Sequence, residues 1–179
     1  ALTFAAGLAL SGIKPVIAIY STFLQRAYDQ LIHDIAIQNI PMLFAIDRAG
    51  LVGADGATHS GNFDISFMRC IPNLILMAPS NESECFEMLS FGYEYNGICA
   101  VRYPRGQSPN NRIHQLKEPI RLGCANKVRT GKKVAILAFG PIIETCREVA
   151  DEIDASLIDM RFIKPIDKKM IKKISKDHE

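Results

Sequence analysis

"PMLFAIDRAGLVGADGATHSGNFD", residues 41–64, joins a short apolar run to a long polar loop. The run at 42–46 has the length and composition of a buried strand in a parallel sheet. The eighteen residues after it contain one Arg, one His, three Asp and five Gly or Ser. So much charge and so little stiffness directly after a buried strand predict a loop that forms part of a binding site.

Strands and helices alternate on both sides of this stretch. A helical stripe starts after the first strand, where Thr22 and Gln25 have the spacing of a capping box. The alternation predicts an α/β fold, with a mostly parallel open sheet and helices on both faces. The other predicted strands are 14–19, 74–77 and 98–102, and the predicted helices are 21–38, 63–69 and 81–95.

A second unit follows a connector of low apolar content. It repeats strand, helix, strand and helix over "KKVAILAFG", "PIIETCREVADEI", "ASLIDM" and "DKKMIKKISK". From residue 124 onward it is about half as long as a typical domain. We therefore expect a fragment with a complete first domain at 1–106, a connector at 107–123 and the beginning of a second α/β domain at 124–179.

Composition excludes several classes of function. The 179 residues are 48% hydrophobic and 22% charged, as in ordinary globular proteins, and the net charge of +2 does not favour nucleic acid or a membrane as partner. No apolar run approaches the roughly 20 residues of a membrane span. Five scattered cysteines without a CxxC pair argue against a zinc site and against a disulfide framework, and favour the cytoplasm.

Unusual polar and aromatic residues follow three of the predicted strands. In an open parallel sheet, ligands bind beyond the carboxyl ends of the strands, so these residues are candidates for one site. They are Tyr20, Phe23 and Arg26 after the first strand, Asp47, Arg48, Asp55 and His59 after the second, and Arg102 and Arg105 after the strand at 98–102.

Two arginines on glycine-flanked loops favour an anionic ligand. The guanidinium of Arg48 or Arg105 suits a phosphate or a carboxylate, although either one alone is explained as well by an ion pair with a nearby carboxylate. His59 can donate to a substrate or exchange a proton with it, or it can simply bond to the loop backbone. Asp55 either orients His59 or starts an Asp-Gly turn.

The aromatic residues Phe23 and Tyr20 leave two interpretations open. They can stack on a flat ring of a ligand, or they can belong to the core. Phosphate-loop, dinucleotide, zinc-protease and serine-hydrolase motifs are all missing from the sequence. From the residues alone we predict an anion-binding α/β domain with a candidate acid–base histidine.

Three segments carry a resemblance to a known family. At "YSTFLQRAYDQ", "FAIDRAGLVGADGATHSGNFD" and "VRYPRG" the sequence resembles the 1-deoxy-D-xylulose-5-phosphate synthases, which are transferases of transketolase type. The resemblance covers essentially the whole chain. It implies a transketolase-like pyrimidine-binding domain followed by the start of the C-terminal domain. It also implies thiamine diphosphate as cofactor and condensation of pyruvate with glyceraldehyde 3-phosphate, with release of CO2, for isoprenoid, thiamine and pyridoxal synthesis.

The resemblance also assigns roles to the candidate residues. Phe23 is expected to stack on the aminopyrimidine of the cofactor, with Arg26 and Tyr20 close by. Asp55 and His59 are expected to hydrogen-bond substrate oxygens and to assist proton transfer. The residues expected around the phosphate of the acceptor substrate are Tyr20, Arg48 and Arg105.

Other parts of the family's machinery are expected outside this sequence. They are the catalytic glutamate, which falls just before Ala1, and the domain that binds the diphosphate and Mg²⁺. We therefore expect the isolated fragment to be inactive and the parent enzyme to be a homodimer. The alternatives are another transketolase-like enzyme, such as transketolase or a pyruvate dehydrogenase β-type subunit, and a non-catalytic scaffold.

Overall fold

Two β-sheets with flanking helices make up the fold. The structure is a computed structural model that describes residues 1–106, 113, 114, 116 and 118–178. Much of the first half of the predicted connector, and part of its remainder, therefore lies outside the described residues. The strands are β1 (Val16–Tyr20), β2 (Met42–Asp47), β3 (Leu74–Met77), β4 (Ile98–Arg102), β5 (Asn126–Arg129), β6 (Ala135–Ala138), β7 (Ser156–Asp159) and β8 (Phe162–Lys164).

The first sheet has the strand order β1-β2-β4-β3-β8 within the described residues. Strands β1 to β4 are parallel to their neighbours, and β8 pairs antiparallel with the edge of β3. The predicted mostly parallel α/β sheet is thus confirmed. Parallel pairing places the carboxyl ends of β1, β2 and β4 side by side, in the registers Tyr20↔Asp47 and Ile46↔Arg102.

Alternate residues of these strands fill two cores, one on each face of the sheet. Phe44 and Leu76 point to the core that contains Leu24 and Met68 from the helices. Leu43, Met77 and Val101 point to the opposite core, which contains Met88 and Phe162. This alternation follows from the period of two in a strand, and it explains why these runs are apolar at nearly every position.

The helical elements lie between the strands, and none in the described part of the chain is long and apolar enough to cross a membrane. The α-helices pack on either side of the sheets, and within the described residues each of them except the three-residue α3 buries at least one side chain. They are α1 (Leu2–Leu10), α2 (Ser21–Leu24), α3 (Tyr28–Gln30), α4 (Asp64–Arg69), α5 (Glu82–Glu94), α6 (Ile142–Glu152) and α7 (Lys168–Asp177).

The prediction of one continuous helix over 21–38 is wrong in detail. The segment changes from α to 3₁₀ geometry at Gln25–Ala27 and ends as a π-helix at Leu31–Ala36. The predicted capping box is also wrong, because the residue before the helix is Tyr20 and no side chain caps it. The hydroxyl of Thr22 instead donates to the carbonyl oxygen of Thr58, 3.2 Å away.

The second sheet has the order β5-β7-β6, with β6 parallel and β5 antiparallel to β7. Its strands β6 and β7 and its helices match the predicted second unit, whereas β5 and β8 were not predicted. Strand β8 belongs to the second unit in sequence but extends the first sheet. The domain boundaries at 106 and 123 stay a prediction.

Candidate functional site

The polar loop after β2 is closed at its neck by a pair of backbone hydrogen bonds. Gly50 and Gly61 exchange N–H to carbonyl bonds of 2.8 Å each, which makes residues 51–60 a compact projection. A Cβ atom on Gly61 would lie 2.3 Å from the carbonyl oxygen of Arg48, so this close approach requires glycine. The neck therefore fixes where the loop leaves the sheet.

Arg48 has a strained backbone at the start of this loop. Its φ of 55° lies in the left-handed region, which is uncommon for a residue with a side chain. Asp47 supports the turn, because its Oδ1 accepts the N–H of Arg48 at 2.6 Å. The guanidinium of Arg48 lies over the ring of Tyr20, with Cζ 4.4 Å from the ring centre.

Asp55 faces both candidate arginines. One carboxylate oxygen forms an ion pair with Arg48, and the other lies 3.7 Å from Nη1 of Arg105. The side chains of Arg48 and Asp55 are about one-fifth exposed, and that of Arg105 is about half exposed. The two guanidinium groups thus share the single carboxylate of Asp55, which leaves them with N–H donors that an anion can accept from.

The aromatic residues after β1 form a small cluster next to these charges. The rings of Tyr20 and Phe23 are nearly parallel, with centres 5.3 Å apart, and the His59 ring meets Phe23 edge-on at 5.5 Å. The guanidinium carbon of Arg26 lies 5.8 Å from the Phe23 ring centre. Phe23 is still 38% exposed, so an apolar ring surface remains in contact with solvent.

His59 ends a 3₁₀ turn, Ala57–His59, that two threonines stabilise. The hydroxyl of Thr58 lies 3.0 Å from Nδ1 of His59. Thr22, which is buried at the start of α2, donates to the carbonyl oxygen of the same Thr58. Neither threonine was predicted from the sequence as a site residue. Their positions in the sequence could have indicated them, because Thr22 follows the end of β1 and Thr58 directly precedes His59.

Arg102 is separate from the cluster, although the sequence placed it with the other strand-end arginines. Its Nε donates to Oδ2 of Asp64 at 2.7 Å, and its Nη2 lies 3.3 Å from Oδ1. Asp64 is fully buried, so this two-point pair is structural, as the alternative interpretation of a single arginine allowed. Next to it, burial raises the pKa of Tyr103, and the charge of Asp47 raises this pKa further.

A cavity of about 800 Å³ opens beside the loop. Of the candidate residues only Arg26 lines it, together with Thr22, Thr58 and the exposed side chains of Leu51 and Phe63.

The contacts described above bring six of the candidate residues together in one group: Tyr20, Phe23, Arg48, Asp55, His59 and Arg105. Arg26 lies between this group and the cavity.

Comparison with known proteins identifies the fold and the family. The family model of the transketolase pyrimidine binding domain matches residues 1–110, and that of the transketolase C-terminal domain matches residues 123–179. A split-gene transketolase, solved as an inactive β4 tetramer, superimposes with a TM-score of 0.88 at 23% identity, over 99% of this chain and 60% of its own. Transketolase from Campylobacter jejuni gives a TM-score of 0.78 at 19% identity, over 98% of this chain and 29% of its own.

Curated relatives match the whole chain. The 1-deoxy-D-xylulose-5-phosphate synthase of Histophilus somni (strain 2336) is 59% identical over 99% of this chain, and that of Nitrosomonas europaea is 55% identical over 100% of this chain. The chain spans 29% of the length of each of these relatives. The resemblance seen in the sequence motifs is therefore confirmed, and the chain belongs to the transketolase family.

Proposed function

We propose that this chain is the pyrimidine-binding part, with the start of the C-terminal domain, of a thiamine-diphosphate-dependent 1-deoxy-D-xylulose-5-phosphate synthase. That enzyme would condense pyruvate with glyceraldehyde 3-phosphate and release CO2. The convergence of Arg48, Arg105, Asp55 and His59 beside an exposed aromatic ring supports this proposal most strongly. The sequence identity of 55–60% to synthases of that name, over 99–100% of this chain, points the same way.

The aromatic residues fit the cofactor. Phe23 is partly exposed and lies at the carboxyl end of β1, where a flat pyrimidine ring can lie against it. Arg26, whose guanidinium carbon lies 5.8 Å from the centre of the Phe23 ring, would support the same group. When bound, thiamine diphosphate supplies the carbanion stabilisation that a protein side chain cannot provide. We expect its diphosphate and Mg²⁺ to be held by residues outside this sequence.

The charged residues fit the acceptor substrate. Arg48 and Arg105 would bind its phosphate, and Tyr20 would hold the Arg48 guanidinium in place through the ring contact. A phosphate that binds here must share the two guanidinium groups with Asp55. Asp55 is thereby able to turn toward a substrate hydroxyl, while His59 donates to a substrate oxygen and exchanges a proton with it.

Substitution of the two arginines tests this assignment in the enzyme that contains these residues. Arg48→Ala and Arg105→Ala should each raise the KM for glyceraldehyde 3-phosphate by about 10- to 100-fold, because each removes a hydrogen-bonded charge from the phosphate. The KM for pyruvate should change much less. Arg147→Ala is the matched control, since Arg147 forms an exposed ion pair on α6 far along the chain. An equal change in both KM values would contradict the phosphate role.

A non-catalytic scaffold is the second candidate, because Asp55 satisfies both arginines without any ligand. Titration with glyceraldehyde 3-phosphate separates the two, since a scaffold does not bind it. We expect the chain alone to form no product, the enzyme to be a cytoplasmic homodimer, and its substrates to be small molecules. A requirement for a lipoyl acceptor would instead indicate a pyruvate dehydrogenase β-type subunit.

A further inference from the structure

The two threonines around His59 take no direct part in the proposed chemistry. Thr22 and Thr58 lie 36 residues apart, on the helix after β1 and on the loop after β2. We infer that they are positioning residues for His59: Thr58 selects the tautomer of the imidazole, and Thr22 holds the turn that carries it. This inference rests on the proposed function of His59 as a donor to a substrate oxygen.

The turn that carries His59 needs an external support. Its first residue follows Gly56, whose φ of 76° and ψ of −179° are accessible in practice only to glycine. Within the turn, the N–H of His59 donates to Gly56 over 3.1 Å, and the N–H of Ser60 donates to Ala57 over 3.3 Å. The bond from Thr22 to the Thr58 carbonyl connects this turn to the end of β1, which is anchored in the sheet.

Within the described residues, Nδ1 of His59 is the one acceptor that the Thr58 hydroxyl reaches, so we assign the hydroxyl as the donor in this contact while the imidazole is neutral. When this hydroxyl donates to Nδ1 at 3.0 Å, the neutral ring carries its proton on Nε2. Nε2–H is then a donor for a substrate oxygen. After the ring takes up a second proton, the hydroxyl rotates and accepts from Nδ1–H, so the contact persists in both charge states. The ring therefore keeps its orientation beside Phe23 during proton exchange.

His178 serves as an internal reference for the tautomer of His59, because its contacts favour the opposite tautomer. Its Nδ1 lies 3.1 Å from the carbonyl oxygen of Ile174, which can only accept, so Nδ1 carries the proton. Its Nε2 lies 2.9 Å from the hydroxyl of Ser156. The two histidines are thus expected to be opposite tautomers in one protein.

Nitrogen-15 NMR of the ligand-free chain tests the inference without any assay. The two nitrogens of a neutral imidazole give different nitrogen-15 shifts, depending on which of them carries the proton. We expect His59 to show an unprotonated Nδ1 and a protonated Nε2, and His178 the reverse. In Thr58→Val the His59 signals should move toward a mixture of tautomers, whereas Thr58→Ser should keep the wild-type pattern and His178 should not change.

Two outcomes would overturn the inference. One is a protonated Nδ1 on His59 in the wild-type chain, which needs no variant and so stays decisive even if Thr58→Val folds poorly. The other is a Thr58→Val spectrum with unchanged His59 signals. Because no substrate is present, these results are independent of the proposed function, which fails instead if the enzyme does not use glyceraldehyde 3-phosphate. For Thr22, Thr22→Val should broaden or shift the His59 signals and Thr22→Ser should restore them.

Discussion

At the residue scale, the site depends on backbone positions that tolerate few side chains. Arg48 is held at a left-handed φ, and its carbonyl oxygen lies against Gly61. The sequence indicated which residues gather at the strand ends, because polar residues after buried strands are unusual. Their partners were not predictable, since Asp55 pairs with Arg48 and Arg105 through contacts that depend on how the loop folds back.

Replacement of Gly61 by alanine should destabilise the protein and disturb the site. The new Cβ would meet the Arg48 carbonyl at 2.3 Å and Ser21 at 2.8 Å, so backbone has to move. We expect a loss of roughly 1–3 kcal/mol in the free energy of unfolding, which is typical of overpacking. Urea unfolding measures this loss.

The matched control for that variant is Gly7→Ala. Gly7 lies in the exposed part of α1, and a Cβ there has nothing within 4 Å. Alanine should stabilise this helix by roughly 0.5–1 kcal/mol, because it loses less conformational freedom on folding. Equal effects of the two substitutions would show that the neck of the loop is not tightly packed.

At the element scale, strand β4 anchors the far end of the same loop. The pair between Arg102 and Asp64 joins the last residue of β4 to the first residue of α4. The apolar runs predicted β2, β3 and β4 within a residue, since buried parallel strands are apolar throughout. They could not predict β5, whose "NKVR" is half exposed, or β8, whose three residues pair with a strand far away in sequence.

Removal of one partner of the Arg102–Asp64 pair should be costly. Asp64→Ala leaves the Arg102 guanidinium, which is only 14% exposed, without its carboxylate. We expect a loss of about 3–5 kcal/mol in unfolding free energy, because a buried charge is left uncompensated. The double variant Asp64→Leu with Arg102→Met should lose clearly less. If the double variant loses at least as much as Asp64→Ala, the pair is not the source of the effect.

At the scale of the whole molecule, a buried polar network links the second unit to the first. Arg161 lies between β7 and β8 with a φ of 55° and donates from Nε to Glu84 at 2.7 Å. Glu84 also accepts the N–H and the hydroxyl of Ser80, and Asp159 accepts the N–H of Arg161. None of these contacts shows a local sequence pattern, so sequence analysis could not place the two units together.

This network predicts a stability that depends on pH. Burial, and after it the charge of Glu84, raises the pKa of Asp159 from about 3.8 to about 7. The folded protein thus binds this proton more tightly than the unfolded chain. The resulting stabilisation is complete below about pH 4 and is lost as the pH rises to about 7, at about 1.4 kcal/mol per pKa unit.

Comparison of Asp159→Asn with the wild type between pH 4 and pH 8 isolates this contribution. The difference in unfolding free energy, variant minus wild type, should increase with pH across this interval, since asparagine has no proton to lose. Asp151→Asn serves as the control, because the Asp151 side chain is 73% exposed and pairs with Arg129 at the surface. A difference that stays constant with pH would show that Asp159 is ionised throughout.

The antiparallel pairing of β8 with β3 has a consequence for how the protein is made. A ribosome synthesises Met77 long before its partner Phe162, so the nascent first sheet leaves the exit tunnel with the backbone groups on the outer edge of β3, opposite β4, unpaired. Such an edge is a site for chaperone capture or for pairing with a neighbouring chain until the later residues arrive. The first sheet is therefore completed only after β8, which belongs to the second unit in sequence, has been translated.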